Sequence, residues 1–347
     1  MKWKILSEKT ESNHTPTGQS EIVKALMDPQ MYDEVVDDVS LVQTHISFVF
    51  LAGDFVYKMK KAVNFGFLDF TTLEKRKYYC EKEVELNRRL CGDMYIGVVT
   101  INRSNNIKIK GEGEVVEYVV KMRRIPEKHM MNKLLDQGEV NEELIDKIAD
   151  IIARFHSRAE TNERISSFGS IDVIESNWEE NFEQTREFIK RTISSREFKQ
   201  LRDKTISFIA QHRQLFNQRV RNKRIRDCHG DIHTSNIFLS DRIYIFDAIE
   251  FNERFRYSDV TADLAFLAMD LDFKGRSDLS TLLVERYKLY SGDRALSELL
   301  PFYKCYRAYV RGKVTSFMLN DSNIDSNKRS GIVQVAKRYF KLALTYI

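Results

Sequence analysis

His229-Gly230-Asp231-Ile232-His233-Thr234-Ser235-Asn236, followed at a short distance by Ile243-Tyr244-Ile245-Phe246-Asp247, is the stretch whose reading decides the fold. Asp231 and Asn236 stand five positions apart. The apolar run from Ile243 to Phe246 reads as a strand that delivers Asp247 at its end. The residue types suit one chemistry. A hard divalent ion such as Mg²⁺ prefers carboxylate and carbonyl oxygens. One Asp and one Asn on facing segments supply such oxygens, and a further Asp that is not spent on metal is left to orient a hydroxyl.

The spacing is that of the H-R-D-x-x-x-x-N loop, in which Asp takes the acceptor proton and Asn holds Mg²⁺, followed by a metal-holding Asp of the D-F-G kind. Asp247-Ala248-Ile249-Glu250-Phe251 and then Asp259-Val260-Thr261-Ala262-Asp263-Leu264-Ala265-Phe266-Leu267 extend the match. Together they resemble the aminoglycoside phosphotransferase-like kinases. Phe246 to Asn252 with Asp263 to Asp272 looks like one bacterial branch of that family, whose members are often fused to a C-terminal P-loop ATP-binding domain. This chain has no G-x-x-x-x-G-K-[ST], so the kinase-like half standing alone is expected.

The resemblance implies an α+β, two-lobed protein-kinase-like fold. The expected N-lobe, residues 1–122, is an antiparallel sheet plus a helix that binds nucleotide. The expected C-lobe, residues 123–347, is mainly helical and carries the catalytic loop and acceptor site. It also implies ATP and Mg²⁺ as cofactors. Asp231 would be the base or acceptor-orienting group, with His229 orienting the loop backbone. Asn236 and Asp247 would hold metal, Glu250 would stand behind them, and Asp263 would open the next helix and brace the loop.

In the first lobe, Ser40–Gln43, Phe48–Ala52 and Phe55–Lys61 read as successive strands, with Gly53-Asp54 as a turn. By resemblance the third strand carries the lysine that contacts ATP phosphates. Period-two alternation puts Lys58 and Lys60 on one face. Lys58 is the first choice, since the strand is better formed there, and Lys60 the second. The loop Gln43-Thr44-His45-Ile46-Ser47 contains no glycine, which departs from a phosphate-cradling loop. Ser47 and nearby amides are left to reach a phosphate. Thr71 and Glu74 form a capping box for a helix that ends at Gly92. Glu83 is the candidate partner of the strand lysine, with Glu81 and Glu85 as alternatives. Residues 96–110 and 114–122 read as two strands, turning at Asn105-Asn106 or at Gly111-Glu112-Gly113. Arg123 to Pro126 would be the inter-lobe hinge, with Met122 flanking an adenine ring.

Beyond Pro126 the pattern turns helical. Ile145, Ile148, Ile151, Ile152 and Phe155 recur at helical spacing, and His156 on that helix reads as structural. Residues 176–220 read as one or more long amphipathic helices, where the family places its acceptor-binding elements. Pro301 to Ile347 holds nine Lys/Arg against two Asp/Glu. That excess reads first as a solvated helix face and second as an attraction for anions. Only fifteen residues separate Asp247 from Asp263, too few for a long phosphorylatable activation loop. The substrate expected is therefore a small molecule carrying a hydroxyl.

The chain of 347 residues has room for two lobes, with 42% apolar residues and a net charge of +4. That charge does not point to nucleic acid. Four scattered cysteines without C-x-x-C suit a reducing compartment. Met1 to Glu8 lacks an apolar h-region, and no run of 18 apolar residues exists, so a cytoplasmic protein without membrane association is expected. Nothing in the sequence fixes an oligomeric state. Two other readings stand behind the kinase. One is a catalytically weak nucleotide-binding module, favoured by the missing glycines. The other is a metal-dependent phosphohydrolase built on His229, Asp231, His233 and Asp247.

Overall fold

The computed structural model describes residues 18–321 and 324–347. The Met1–Glu8 stretch read for a leader lies outside the described residues. In chain order the first elements are α1 (Ser20–Ala25), β1 (Val39–Gln43), β2 (Ser47–Ala52), β3 (Phe55–Lys60), α2 (Leu73–Cys91), β4 (Tyr95–Arg103), β5 (Ile107–Ile109), β6 (Glu114–Arg123) and α3 (Met131–Gln137). There follow α4 (Glu142–Arg158), α5 (Glu163–Ser167), α6 (Ile171–Thr185), α7 (Ser195–Gln211), α8 (Arg213–Arg221), β7 (Ile225–Asp227), β8 (Ile237–Leu239) and β9 (Ile243–Ile245). The last are α9 (Glu253–Arg256), β10 (Tyr257–Asp259), α10 (Val260–Phe273), α11 (Ser277–Ser291), α12 (Leu296–Phe317) and α13 (Ser326–Thr345).

The chain divides into two compact units. The first runs to Gln137 and takes back Ser235–Glu253; the second holds Gly138–Thr234 and Arg254–Ile347. In the first unit the strands form an antiparallel sheet in the order β1-β2-β3-β6-β4-β5. Alternation sorts its side chains. Phe48, Phe50, Tyr57 and Met59 face one core, which Ile22 and Leu26 of α1 and its C-terminal flank complete. Val49, Val56, Val120 and Met122 face another, with Cys80 and Val84 of α2 and Phe238 and Phe246 of the returning hairpin. Lys58 and Lys60 share that second face, by the period-two rule.

Two local expectations change here. The cap of α2 is Thr72, whose side chain accepts from the Lys75 amide, and not Thr71. Thr71 is held instead by Asp69, which accepts from both its amide and its hydroxyl. The expected pair of strands over 96–122 is three, because both candidate turns are used and the short β5 lies between them. The helical reading of 176–220 resolves into α6, α7 and α8, with the chain out of α-helix from Phe188 to Ser194. There Lys190 adopts φ +70°, a left-handed conformation that no α-helix continues.

The second unit is helical, and its core is aromatic. Trp178 and Phe182 of α6 pack with Phe302 and Tyr309 of α12, and Phe340 of α13 closes on Tyr309. A two-stranded ladder pairs β7 with β10. It sets the ends of the segment that carries His229 and Asp231 against the start of α10.

Candidate active site

The first unit holds five charged side chains in one buried chain of contacts. Lys58 Nζ donates to Glu83 Oε1, and at 3.0 Å to Asp247 Oδ1. Lys60 Nζ donates to Glu83 Oε2 at 2.7 Å and to Glu250 Oε1 at 2.5 Å. Of the three candidate glutamates on α2, Glu83 is therefore the one beside the lysines. It meets both of them, one through each oxygen. Burial works against charge on each group. For Lys58 the Asp247 and Glu83 carboxylates outweigh burial and hold it well above the usual lysine range. For Glu83 the two lysines outweigh burial and hold it below the usual carboxylate range. Three carboxylates against two ammonium groups leave one negative charge in excess.

The backbone explains how Asp247 arrives there. β8 and β9 form a hairpin in register Ile237↔Ile245, so its open end places Asn236 beside Phe246. The Phe246 amide donates to the Asn236 carbonyl at 2.9 Å. Asp247 then takes φ +65°, an uncommon conformation for a residue with a Cβ and one that Asp and Asn tolerate better than most. Asn87 fixes the bend. One turn below Glu83, it donates to the Glu83 carbonyl at 2.8 Å and accepts the Ala248 amide at 2.9 Å. Cys91 Sγ, one turn further along α2, donates to the Ile245 carbonyl at 3.0 Å.

The glycine-free loop has its own geometry. Thr44 Oγ1 accepts from the Ile46 amide at 3.2 Å and the Ser47 amide at 2.9 Å. Ser47 is buried opposite Lys60 on the neighbouring strand, and its hydroxyl has no hydrogen-bond partner among the described residues. Met122 is buried within the core that packs α2, opposite Val56 and Tyr95.

The second unit holds the loop that carries His229 and Asp231. Asp263, in the first turn of α10, accepts the His229 amide on one oxygen and the Gly230 amide on the other, each at 2.9 Å. The cap of α10 is Asp259, not Asp263. Gly230 sits at φ +86°, where a side chain would be strained. Arg307 of α12 donates to the Gly230 carbonyl and to the Ala262 carbonyl, both at 3.0 Å. Two turns beyond Asp263, Asp270 accepts from the Thr234 amide at 2.9 Å and hydroxyl at 2.6 Å. The loop backbone is thus bracketed by two aspartates on one face of α10. His229 Nδ1 accepts the Asp231 amide at 3.2 Å, which leaves its proton on Nε2. The Asp231 carboxylate remains partly open, with its side chain 22% exposed. Burial pushes His233 below the usual imidazole range, so its ring, 3.7 Å from Asp231, stands neutral beside it.

His156 lies between Asp263, at 3.1 Å, and the Tyr287 hydroxyl, at 2.8 Å. His156, Cys228 and Asp263 come within 4.8 Å of one another, close enough to share a metal. The existing hydrogen bonds of His156 and Asp263 instead describe a brace for the loop. Burial pushes the Asp263 carboxyl up, but the His156 hydrogen bond and the positive groups around it, Arg307 among them, outweigh it and hold it at about 2.

Asn87, Asp270 and Arg307 did not figure among the sequence candidates. Two of them carried a signal. Asn87 follows Glu83 by four residues, and Asp270 follows Asp263 by seven, both spacings that return to one helix face. Arg307, 77 residues beyond Gly230, had none.

The sequence model of the Phosphotransferase enzyme family matches residues 107–301, more than half of the chain. The chain belongs to that family. Uncharacterized proteins of Mycobacterium bovis and Mycobacterium tuberculosis are 36% identical over 283 residues, a match covering 81% of this chain and 55% of theirs. The chain thus spans about half the length of the curated relatives it matches. Among solved structures, a choline/ethanolamine kinase family protein from Mesorhizobium loti aligns with TM-score 0.53 at 13% identity, covering 94% of this chain and 98% of that one. An ethanolamine kinase of Plasmodium vivax aligns with TM-score 0.50 at 12% identity, covering 93% and 85%. At such identity the likeness concerns the fold: two-lobed, α+β and kinase-like, with an antiparallel sheet in the first lobe and helices dominating the rest. No helix among the described residues is long and apolar enough to cross a membrane.

Proposed function

We propose that the chain is an ATP- and Mg²⁺-dependent phosphotransferase that moves the γ-phosphate to a hydroxyl of a small molecule. The observation that carries the reading is the buried cluster in which Lys58 bridges Glu83 and Asp247, with Asn236 at the neighbouring hairpin end. Its excess negative charge and its oxygen donors fit a hard divalent cation. The second oxygen of Glu250, buried and without a hydrogen-bond partner among the described residues, fits the same purpose. Asn236 and Asp247 would hold the cation, with Glu250 behind them. Bound there, Mg²⁺ neutralises charge on phosphate oxygens.

The chain's own groups then divide the work. Lys58 turns its ammonium to the phosphates and keeps Glu83 as its anchor. Lys60 holds Glu83 and Glu250 in place. The Asp231 carboxylate orients the acceptor hydroxyl and takes its proton. Asp263 and Asp270 fix the loop amides so that Asp231 stays aimed.

The Thr44 turn favours a second reading, a nucleotide-binding module with feeble turnover. Two amides that would serve a phosphate loop are already bonded to Thr44 Oγ1. Thermal unfolding of the wild type and Asp247→Asn, with and without MgATP, tests the site. A ligand confined to the native state adds roughly 2.7 kcal/mol at one hundred times its Kd. The proposal expects a Mg²⁺-dependent shift that Asp247→Asn removes, followed by turnover on a panel of small hydroxyl acceptors. A shift without turnover supports the second reading. No shift at millimolar MgATP sinks both.

A further inference from the structure

Four cations converge on a cavity of about 260 Å³ in the helical unit. Lys190 and Arg191 come from the turn that breaks the chain before α7. Lys337 and Lys341 stand one turn apart on α13. Some exposed cations of the helical unit have carboxylate partners, as in Arg202–Glu179 and Arg213–Glu175. These four have none among the described residues. The Arg191 guanidinium lies over the Phe188 ring, at 5.4 Å. Glu197 is the cavity's one carboxylate, and it is already committed to the start of α7, where it accepts the Ser194 amide at 2.9 Å. Four cations less one carboxylate leave the wall with a formal charge of +3.

The backbone that carries Lys190 and Arg191 is anchored. Phe188 and Ile193 are buried on either side of Lys190 and Arg191. Thr192 between them bonds Ser316 of α12 at 2.8 Å, and the Lys190 amide donates to the Ile193 carbonyl at 2.7 Å. α13 carries no Asp or Glu between Ser326 and Thr345 that could neutralise its side of the cavity. A second hollow of about 300 Å³, lined by Arg196, Lys199 and Lys204 with Asp203, opens along α7. Unpaired like charges on rigid supports repel one another, and an anion seated among them relieves that repulsion.

We propose that this cavity binds a small polyanion bearing two or more phosphate groups, at a site that shares no residue with the catalytic loop or the lysine–carboxylate cluster. The size argues for a small ligand: the volume is near the lower end of small-molecule pockets, about 300 Å³. A nucleic-acid strand would need a longer groove, with aromatic side chains for its bases to stack on.

The experiment is calorimetric titration of the full chain with inorganic tripolyphosphate, without Mg²⁺ and at several salt concentrations. Lys58→Met serves as the background in which the proposed nucleotide site is disabled. Binding is expected to persist in Lys58→Met, to weaken with salt, and to weaken about tenfold in the exposed double variant K337A/K341A. K147A, at an exposed lysine on α4, controls for the loss of a surface charge elsewhere and is expected to bind as the wild type does. Unaltered binding in K337A/K341A overturns the proposal, as does an equal loss in K147A. A single-stranded oligonucleotide that binds more tightly than tripolyphosphate, with the same dependence on Lys337 and Lys341, overturns the small-ligand assignment. Loss of binding in Lys58→Met alone shows the anion to be in the nucleotide site and likewise overturns it. Activity is not part of the readout, so the outcome is independent of the proposed reaction.

Discussion

The candidate site holds its buried aspartates in opposite ways in the two units. In the first, Asp247 is held by another charge, Lys58, within a cluster that carries one negative charge too many. In the second, Asp263 and Asp270 are held by backbone amides and a hydroxyl. A carboxylate paired to an ammonium can exchange that partner for another cation, because the incoming ion restores the charge that the carboxylate gives up. A carboxylate that accepts two amides of its own loop cannot move without leaving those amides orphaned. The first arrangement suits a site that exchanges ligands. The second suits a frame that holds one side chain, Asp231, at a fixed aim.

The strongest way to break this contrast is at Asp231. Its side chain is partly exposed, so Asp231→Ala should leave stability within about 0.5 kcal/mol. Removing a proton acceptor should cost on the order of 10²–10⁴-fold in phosphate transfer, while the MgATP-dependent thermal shift persists. Steady-state assay and unfolding of the same preparation decide it. Undiminished transfer would remove Asp231 from the mechanism.

Next in size is the lysine–carboxylate cluster. Truncating one partner of a buried ion pair costs about 3–5 kcal/mol, whereas replacing both by apolar groups of similar volume is often neutral. Lys60→Met is therefore expected to lower stability by that amount, and Lys60→Met/Glu250→Leu to recover part of it. Denaturant unfolding of both variants measures the difference. Equal stability of Lys60→Met and wild type would mean that the cluster is not held by its charges.

The frame makes a prediction in pH. Asp263 is held at about 2, below the usual carboxylate value of 3.8. A lowered native value stabilises the fold at every pH above the unfolded value. That contribution disappears as pH falls from about 4 towards 2. It amounts to about 2 kcal/mol, from the size of the shift. Asp263→Asn should lose this part of the acid sensitivity, seen as a flatter stability curve below pH 4. A curve of unchanged slope would assign the acid sensitivity to other carboxylates.

The smallest effect is expected at Ser47. Its hydroxyl is buried without a hydrogen-bond partner among the described residues, so Ser47→Ala should be neutral or slightly stabilising, by less than about 1 kcal/mol. If the apparent affinity for MgATP falls in that variant, the hydroxyl serves the nucleotide. If it is unchanged, the glycine-free turn works through Thr44 alone.

Particular residues show how far the sequence could be read. Alternation placed Lys58 and Lys60 on one face of a strand, because the period of an extended chain is two whatever surrounds it. It could not say that one glutamate would meet both. That depends on how α2 lies across the sheet, which the packing of Val84 and Cys80 against Val49 and Val120 settles. The cap at Thr72 was misread as Thr71 because the capturing group, Asp69, competes for Thr71 from outside the helix. The break at Lys190 was hidden by an apolar spacing that a helix and a buried turn satisfy equally.

The order of residues along the chain was enough for the chemical inventory: Asp231, Asn236 and Asp247 at their spacing, a strand with two lysines, and a helix bearing glutamates. It also marked the hairpin that carries Asp247, since alternation and apolar runs are local properties. Folding in three dimensions selected which glutamate pairs with the lysines, and set Asn87 to fix the bend at Ala248. It likewise decided that Asp263 and Asp270 clamp a loop more than thirty residues before them, and that four unpaired cations share one cavity. Such contacts join residues far apart in the chain, and their partners are chosen by the packing of apolar faces.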